Sequence, residues 1–311
     1  MTDKTPRSSH VATAVAPVSH GFMRLGTALE KACAEIGLQQ TSHVRLLGTE
    51  EKWAAVEIAV AVDEDAIASA RAALRDAFSG IADVALLRAR NRKKRLLISD
   101  MDSTIIQQEC LDELAAYAGL KDEIAAITAR AMAGELDFEG ALTERVGKLK
   151  GLAIEALEQC YAERITLMPG AKTLTATMAA NKAYCLLVSG GFTFFTSRVA
   201  AVSGFQGDRG NTLIDDGAAL TGEVGRPILG REAKLDALDD AAFANGLNRL
   251  DALAIGDGAN DLAMIEAAGL GIAVHAKPIV AEAADAAIDV TDLTTALYFQ
   301  GYSDSEIVWR E

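Results

Sequence analysis

The stretch Leu96-Leu97-Ile98-Ser99-Asp100-Met101-Asp102-Ser103-Thr104 decides how this chain is read: a short apolar strand runs straight into two carboxylates two residues apart. In a continuing strand, positions two apart point to the same face. Both charges would then crowd one spot, where like charges raise each other's pKa. A cation or a chemical task relieves that cost. The plainer alternative is a strand ending in a polar loop, with Asp102 or Ser103 capping the next helix. It is outweighed by a second acidic cluster, Gly256-Asp257-Gly258-Ala259-Asn260-Asp261, which follows the apolar run at 253–255. Two strand-end acidic loops in one α/β chain point to one site, because open parallel sheets bind ligands beyond the carboxyl ends of their strands.

Length and charge narrow the field. A chain of 311 residues is near the length of two ordinary domains and can bury a sizeable core. Half of its residues are apolar and 5 are proline, which argues against global disorder. No uncharged apolar run reaches the roughly 18 residues of a membrane span, and residues 1–10 carry no hydrophobic signal core. The expectation is a soluble, cytoplasmic protein with no membrane partner. Cys33, Cys110, Cys160 and Cys185 form no close pair and the histidines are scattered, against structural zinc or disulfides. A net charge of −14 argues against nucleic acid as a partner. One segment opposes the trend: Arg88-Ala89-Arg90-Asn91-Arg92-Lys93-Lys94-Arg95 carries six basic residues. It lacks interleaved aromatics and reads as a solvated linker, with pairing to acids of the other domain as the alternative.

Residues 1–88 read as a small α+β unit. Helical spacing appears at Leu25, Leu29, Cys33 and Ile36, and again at Ile67, Ala70, Leu74 and Phe78. Strand alternation appears at Val44 and Leu46, at Val56, Ile58 and Val60, and over 81–87. With 11–18 as the first strand the order is βαββαβ, the ferredoxin-like pattern. Residues 89–95 form the basic linker and 96–311 a second unit, expected to fold without residues 1–88. Within it, 109–163 is nearly all helical, an insertion right after the first acidic loop. From Pro169 onward, strands at 183–188, 253–255 and 269–274 alternate with mostly helical segments, which predicts a doubly wound parallel sheet.

Four features now stand in order: DMDST at 100–104, Ser189-Gly190-Gly191 after a strand, Lys234, and GDGAND at 256–261. Together they resemble the motif series of the phosphoserine phosphatases of the haloacid-dehalogenase (HAD) superfamily, over residues 96–298. The resemblance implies a HAD-like α/β fold with a helical cap at about 109–163, preceded by a domain similar to ACT-type domains. Such domains bind amino acids or dimerise. The small-ligand signature is not evident, so the expected use is structural, with a homodimer formed through the N-terminal domain. The implied activity is Mg²⁺-dependent hydrolysis of O-phosphoserine.

The resemblance also implies roles for single residues. Asp100 is the nucleophile that forms an aspartyl-phosphate. Asp102 protonates the departing serine oxygen and then activates water, while Lys234 orients Asp100 and offsets phosphate charge. Mg²⁺ falls to Asp100, Asp257 and the backbone carbonyl of Asp102, with Asp261 supporting them from behind. Ser189 and Gly190, read as ending a strand and opening a helix near Phe192, form a phosphate cradle. From that segment alone a Ser N-cap before a flexible turn is an equal reading. Asn260 matches a position that contacts the phosphoryl group or its water. In the cap, Phe138, Leu142, Arg145 and Leu149 recur at spacings of 4, 3 and 4, which puts Arg145 in an apolar stripe. There it must snorkel, pair with an acid or face a ligand. The resemblance gives Arg145 to the substrate carboxylate, Glu109 to the substrate ammonium, and Met132 and Phe138 to apolar walls. Two rivals stand beside this reading. One is a HAD phosphotransferase or a phosphatase for another small phosphomonoester; the other is an amino-acid-sensing regulatory protein.

Overall fold

The computed structural model describes residues 9–48, 52–132 and 135–311, with the side chain of Met132 outside the description. The N-terminal unit runs β1 (His10–Pro17), α1 (Phe22–Glu35), β2 (Gln39–Gln40), β3 (Arg45–Gly48), β4 (Trp53–Ala61), α2 (Ile67–Ala77) and β5 (Asp83–Arg88). β1 lies between β4 and β5, antiparallel to both, and β2 and β3 pair with the outer side of β4. The order β3-β4-β1-β5 is that of the ferredoxin-like split βαβ. Leu25, Leu29 and Cys33 of α1 and Leu74 of α2 pack against Val56, Ile58 and Leu86. The predicted apolar stripes thus become the buried face of each helix.

The second unit begins at β6 (Leu96–Ser99) and continues through four helices, α3 (Cys110–Tyr117), α4 (Lys121–Met132), α5 (Phe138–Lys148) and α6 (Ile154–Arg164). After them come α7 (Ala171–Ala180), β7 (Tyr184–Phe192), α8 (Thr193–Ser203), β8 (Gly207–Asn211), β9 (Leu213–Asp215), β10 (Leu220–Val224) and α9 (Glu232–Ala244). The chain closes with β11 (Ala252–Gly256), α10 (Leu262–Ala267), β12 (Leu270–Val274), α11 (Pro278–Ala283), β13 (Ala286–Ile288) and α12 (Thr295–Phe299). The strands β13-β12-β11-β6-β7-β8 form a parallel sheet. Leu97 faces one core with Leu174 and Phe195, while Leu96 and Ile98 face the other with Leu238, Met264 and Val280. Burial on both faces is why β6 reads as a continuous apolar run instead of an alternating one.

The segments between the expected strands hold more strand than their pattern suggests. β8, Gly-Asp-Arg-Gly-Asn, has no apolar alternation and lies at the end of the sheet. β9 and β10 form a hairpin tied to the link between α5 and α6: the Gly151 amide donates to the Leu220 carbonyl, and the Leu220 amide to the Leu152 carbonyl, both at 2.8 Å.

The two units share one sheet. β13 meets β5 antiparallel at Ala286 and Ala85. Next to that contact, Asp83 accepts hydrogen bonds from the backbone amides of Asp289, Val290 and Thr291 at 2.8, 3.0 and 2.9 Å. The indole of Trp53 donates to Asp292 at 3.2 Å. The basic run is not the solvated linker it reads as. Arg92 forms a salt bridge with Glu57 at 2.8 Å and donates to the Phe299 carbonyl at 2.9 Å, and Lys94 is buried. The alternative of pairing with acids of the other domain describes Arg92, because Glu57 lies on β4.

Candidate active site

Asp100 follows the last residue of β6, and its amide donates to the Ile255 carbonyl of β11 at 2.9 Å. Beyond it the strand cannot continue: the amides of Ile105 and Ile106 both turn back to the Met101 carbonyl, at 2.8 and 3.0 Å. Met101, Ile105 and Ile106 are fully buried and pin that turn to the core. Ser103 adopts the left-handed conformation at φ 52°, rare for a residue with a side chain. Its hydroxyl donates to Glu109 at 2.7 Å.

Lys234, early in α9, reaches under this loop. Its ammonium is 2.7 Å from Asp100 Oδ2 and 2.5 Å from Asp261 Oδ1, and only 3% of the residue is exposed. Burial works against its charge, but the two carboxylates outweigh burial and hold the lysine protonated, above its ordinary value. The other oxygen of Asp261 accepts the Gly258 amide at 3.0 Å. Asp261 therefore has both oxygens committed. Asp257 Oδ1 accepts from the Thr104 hydroxyl at 3.1 Å.

Asp102 turns away from this cluster towards the insertion. One of its oxygens accepts the Cys110 amide at 2.9 Å, at the first turn of α3, and the other accepts the Ser189 hydroxyl at 3.0 Å. Burial, then Glu109 and Asp100, push the Asp102 carboxyl up to about 7. Asp257 is pushed up to about 6 by burial, then by Asp100 and Glu109, and Glu109 is raised mainly by burial. These acids sit together at a cost that a cation relieves. Asp100, Asp257 and Asp261 have carboxylate oxygens within 4.8 Å of one another; with both oxygens of Asp261 committed, Asp100 and Asp257 are the pair that faces a divalent metal, for which hard oxygens are suited. Among the described residues the Asp102 carbonyl accepts no backbone hydrogen bond, which leaves its lone pairs available. The donor set fits a metal of that kind.

Ser189 and Gly190 do not open a helix. β7 runs on to Phe192 and α8 starts at Thr193, with the ladder to β8 broken between Val188 and Phe192. What shapes the segment is hydrogen bonding: the Gly191 amide donates to the Ser189 hydroxyl at 2.8 Å, so that hydroxyl is fixed on Asp102. A Cβ on Gly191 would lie 3.1 Å from Asp102 Oδ2. Asn211, at the end of β8, donates to the Gly190 carbonyl at 2.8 Å and accepts the Leu229 amide at 2.7 Å. Asn211 and Thr104 escape sequence reasoning, because each is an ordinary polar residue until the fold supplies its partners.

From the insertion, Phe138 lies against this segment: its Cζ is 3.3 Å from where a Cβ of Gly190 would stand. Leu142 and Leu149 of the same stripe are buried. Arg145 is half-buried, and its Nε donates to the Ala141 carbonyl of its own helix at 3.2 Å. Among the described residues it forms no salt bridge, and burial lowers its pKa against the pull of Asp112 and Glu109. Asn260 is half-buried beside Gly258, with its Oδ1 close to where a Cβ of that glycine would stand. A side chain at Gly258 would displace the Asn260 amide from this position. Met132 ends α4, but its side chain lies outside the described residues.

Comparison with known proteins gives the chain its family. Residues 97–266 match the family model of haloacid dehalogenase-like hydrolases. The chain is 42% identical over 255 residues to a phosphoserine phosphatase of Streptomyces coelicolor, covering 81% of this chain and 62% of that protein. It is 42% identical over 216 residues to a probable phosphoserine phosphatase of Schizosaccharomyces pombe, covering 69% and 72%. Among solved structures, a probable phosphoserine phosphatase from Vibrio cholerae in unliganded form superposes with a TM-score of 0.74 at 29% identity, over 98% of this chain and 90% of that one. The chain thus spans less than two thirds of the length of its Streptomyces relative.

Proposed function

The chain belongs to the haloacid dehalogenase-like hydrolases, and from that premise we propose that it is a phosphoserine phosphatase, hydrolysing O-phosphoserine to serine and phosphate through an aspartyl-phosphate on Asp100. One observation carries the reading: Lys234 bridges Asp100 and Asp261, while Asp102, two residues from Asp100, is held apart by Ser189 and Cys110. Two neighbouring acids thereby have different partners, as a nucleophile and an acid–base pair require.

In this reading the Asp100 carboxylate attacks phosphorus, and the bond from phosphorus to the serine oxygen breaks as Asp102 gives that oxygen its proton. Water then attacks the acyl-phosphate, Asp102 takes the water proton, and phosphate leaves with Asp100 restored. Lys234 holds Asp100 in place and offsets charge on the phosphoryl oxygens. Ser189, the Gly190 backbone and Asn260 cradle the phosphate. Asp100, Asp257 and the Asp102 carbonyl, with Asp261 behind them, would hold Mg²⁺, whose positive charge would offset repulsion between the carboxylate and the substrate dianion. Arg145 takes the substrate carboxylate and Glu109 the ammonium, between walls formed by Phe138 and Met132.

The same reading makes 96–311 the phosphatase unit with its cap at about 109–163, and 1–88 an accessory unit joined by 89–95. It gives that accessory unit to homodimer formation and the protein to the cytoplasm. Phosphate release from a panel of small phosphomonoesters, with and without Mg²⁺, tests the proposal. Preference for O-phosphoserine with a chemically trapped phosphoenzyme is expected. Turnover of other esters without phosphoserine would redirect the substrate assignment.

A further inference from the structure

At the opposite end of β6 from Asp100, where the parallel strands begin, a cavity of about 780 Å³ opens between the two units. Arg71 and Arg88 line it from the N-terminal unit, and Leu250 and Gly269, just ahead of β11 and β12, line it from the other. Arg90 and Lys94 complete it from the connecting run.

Its cations exceed the acids that answer them. Arg71 is paired with Asp285 at 2.7 Å and Arg88 with Glu64 at 2.9 Å. Arg92, also on the wall, is committed to Glu57. Arg90 and Lys94 form no salt bridge among the described residues. Lys94 is 6% exposed, and its ammonium donates to the Leu250 carbonyl at 2.8 Å, an oxygen already shared with the side-chain Nδ2 of Asn91 at 3.1 Å. A buried ammonium with one shared carbonyl is under-compensated. Burial accordingly lowers its pKa, although Asp285 and Asp251 pull the other way. In a chain of net charge −14, unpaired positive charge gathered in one cavity calls for an anion.

We propose that this cavity binds a small polyanion, a phosphorylated or polycarboxylic metabolite, with one charged group on Lys94 at its floor and another on Arg90 at its rim. The volume is in the range of small-molecule sites, about 300–1,000 Å³. The site lies a strand length from Asp100, so its ligand does not compete with substrate there. Because both units supply its walls, a bound ligand ties them together and raises the melting temperature of the whole chain.

Calorimetric titration of the full chain without added metal, using pyrophosphate and tricarballylate as probes, tests this. At least one probe is expected to bind saturably and raise Tm. Arg90→Glu and Lys94→Met should each weaken it roughly tenfold or more, the scale of one charge-assisted hydrogen bond, and Ser189→Ala should leave it unchanged. Binding of pyrophosphate alone assigns a phosphorylated ligand, and of tricarballylate alone a polycarboxylate. If Lys94→Met fails to fold, the exposed Arg90→Glu decides. No saturable binding of either probe, equal binding in wild type and Arg90→Glu, or binding lost in Ser189→Ala would each overturn the proposal.

Discussion

The hydroxyl of Ser189 stands 3.0 Å from Asp102 Oδ2, joining β7 to the loop after β6 across 87 residues of sequence. The Gly191 amide donates to the Ser189 hydroxyl oxygen at 2.8 Å and so fixes the hydroxyl's direction. Ser189→Ala leaves Asp102 with the Cys110 amide alone. A hydrogen bond to an ionised group contributes about 1.5–3 kcal/mol, so phosphoserine turnover should fall about 10- to 100-fold with the fold intact. Steady-state kinetics beside circular dichroism check this; turnover within twofold of wild type would show that the contact is not used.

Asp83 predicts a second outcome, in stability. Its carboxylate, 4% exposed, accepts three consecutive amides from Asp289, Val290 and Thr291. Asp83→Ala strands those donors at the seam between the units, where unsatisfied buried groups cost about 1–3 kcal/mol each. A loss of about 2–5 kcal/mol is expected in urea unfolding. The same seam bears on removal of residues 1–88: it would bare β13 and leave Arg92 without Glu57. A truncated chain should therefore be less stable than the full chain by the same assay, whatever its activity.

Asn211 gives a third. It is 1% exposed and links the Gly190 carbonyl to the Leu229 amide. Asn211→Leu fills the space but satisfies neither group. It should raise KM for phosphoserine more than it lowers kcat, because it frees the phosphate-side backbone and leaves Asp100 and Asp102 in place. An unchanged KM would confine Asn211 to stability.

How much of this was legible beforehand follows from where each signal lies. Asp100, Asp102 and Asp257 could be read because acids at the end of an apolar strand are costly and local, whereas Asp261 is placed by its position in the GDGAND motif. β8 could not, since Gly-Asp-Arg-Gly-Asn has no alternation to detect. β13 sits in the alanine-rich stretch 281–287, where a helical and a strand pattern look alike. The basic run misleads for a different reason: Arg92 has its acid 35 residues away on β4 and Lys93 has its own 213 residues away at Glu306. Charge pattern alone cannot see such partners. Asn211 and Thr104 are of the same kind.

Metal dependence supplies a fourth prediction. Excess chelator should abolish phosphate release and Mg²⁺ should restore it, while Ca²⁺ should support it poorly. Ca²⁺ takes more and longer oxygen contacts, so it would draw both oxygens of Asp100 towards itself and leave none to attack phosphorus. Full activity after chelation and dialysis would remove the metal from the mechanism.

Substrate identity rests on Arg145 and Glu109. Arg145 is half-buried with one hydrogen bond to its own helix, and Glu109 is held by the Ser103 hydroxyl. If the guanidinium takes the substrate carboxylate as a two-pronged pair, Arg145→Lys should fail to rescue function, because an ammonium cannot reproduce the planar fork. Losing such a contact costs about 2–5 kcal/mol where the partner charge stays buried, so phosphoserine turnover should fall by orders of magnitude. Turnover of p-nitrophenyl phosphate should fall much less, since it carries neither carboxylate nor ammonium and still meets Asp100, Asp102 and the metal. Equal losses on both substrates in Arg145→Ala and Glu109→Ala would instead assign these residues to the folding or closure of α3–α6, and the specificity for phosphoserine would have to come from elsewhere.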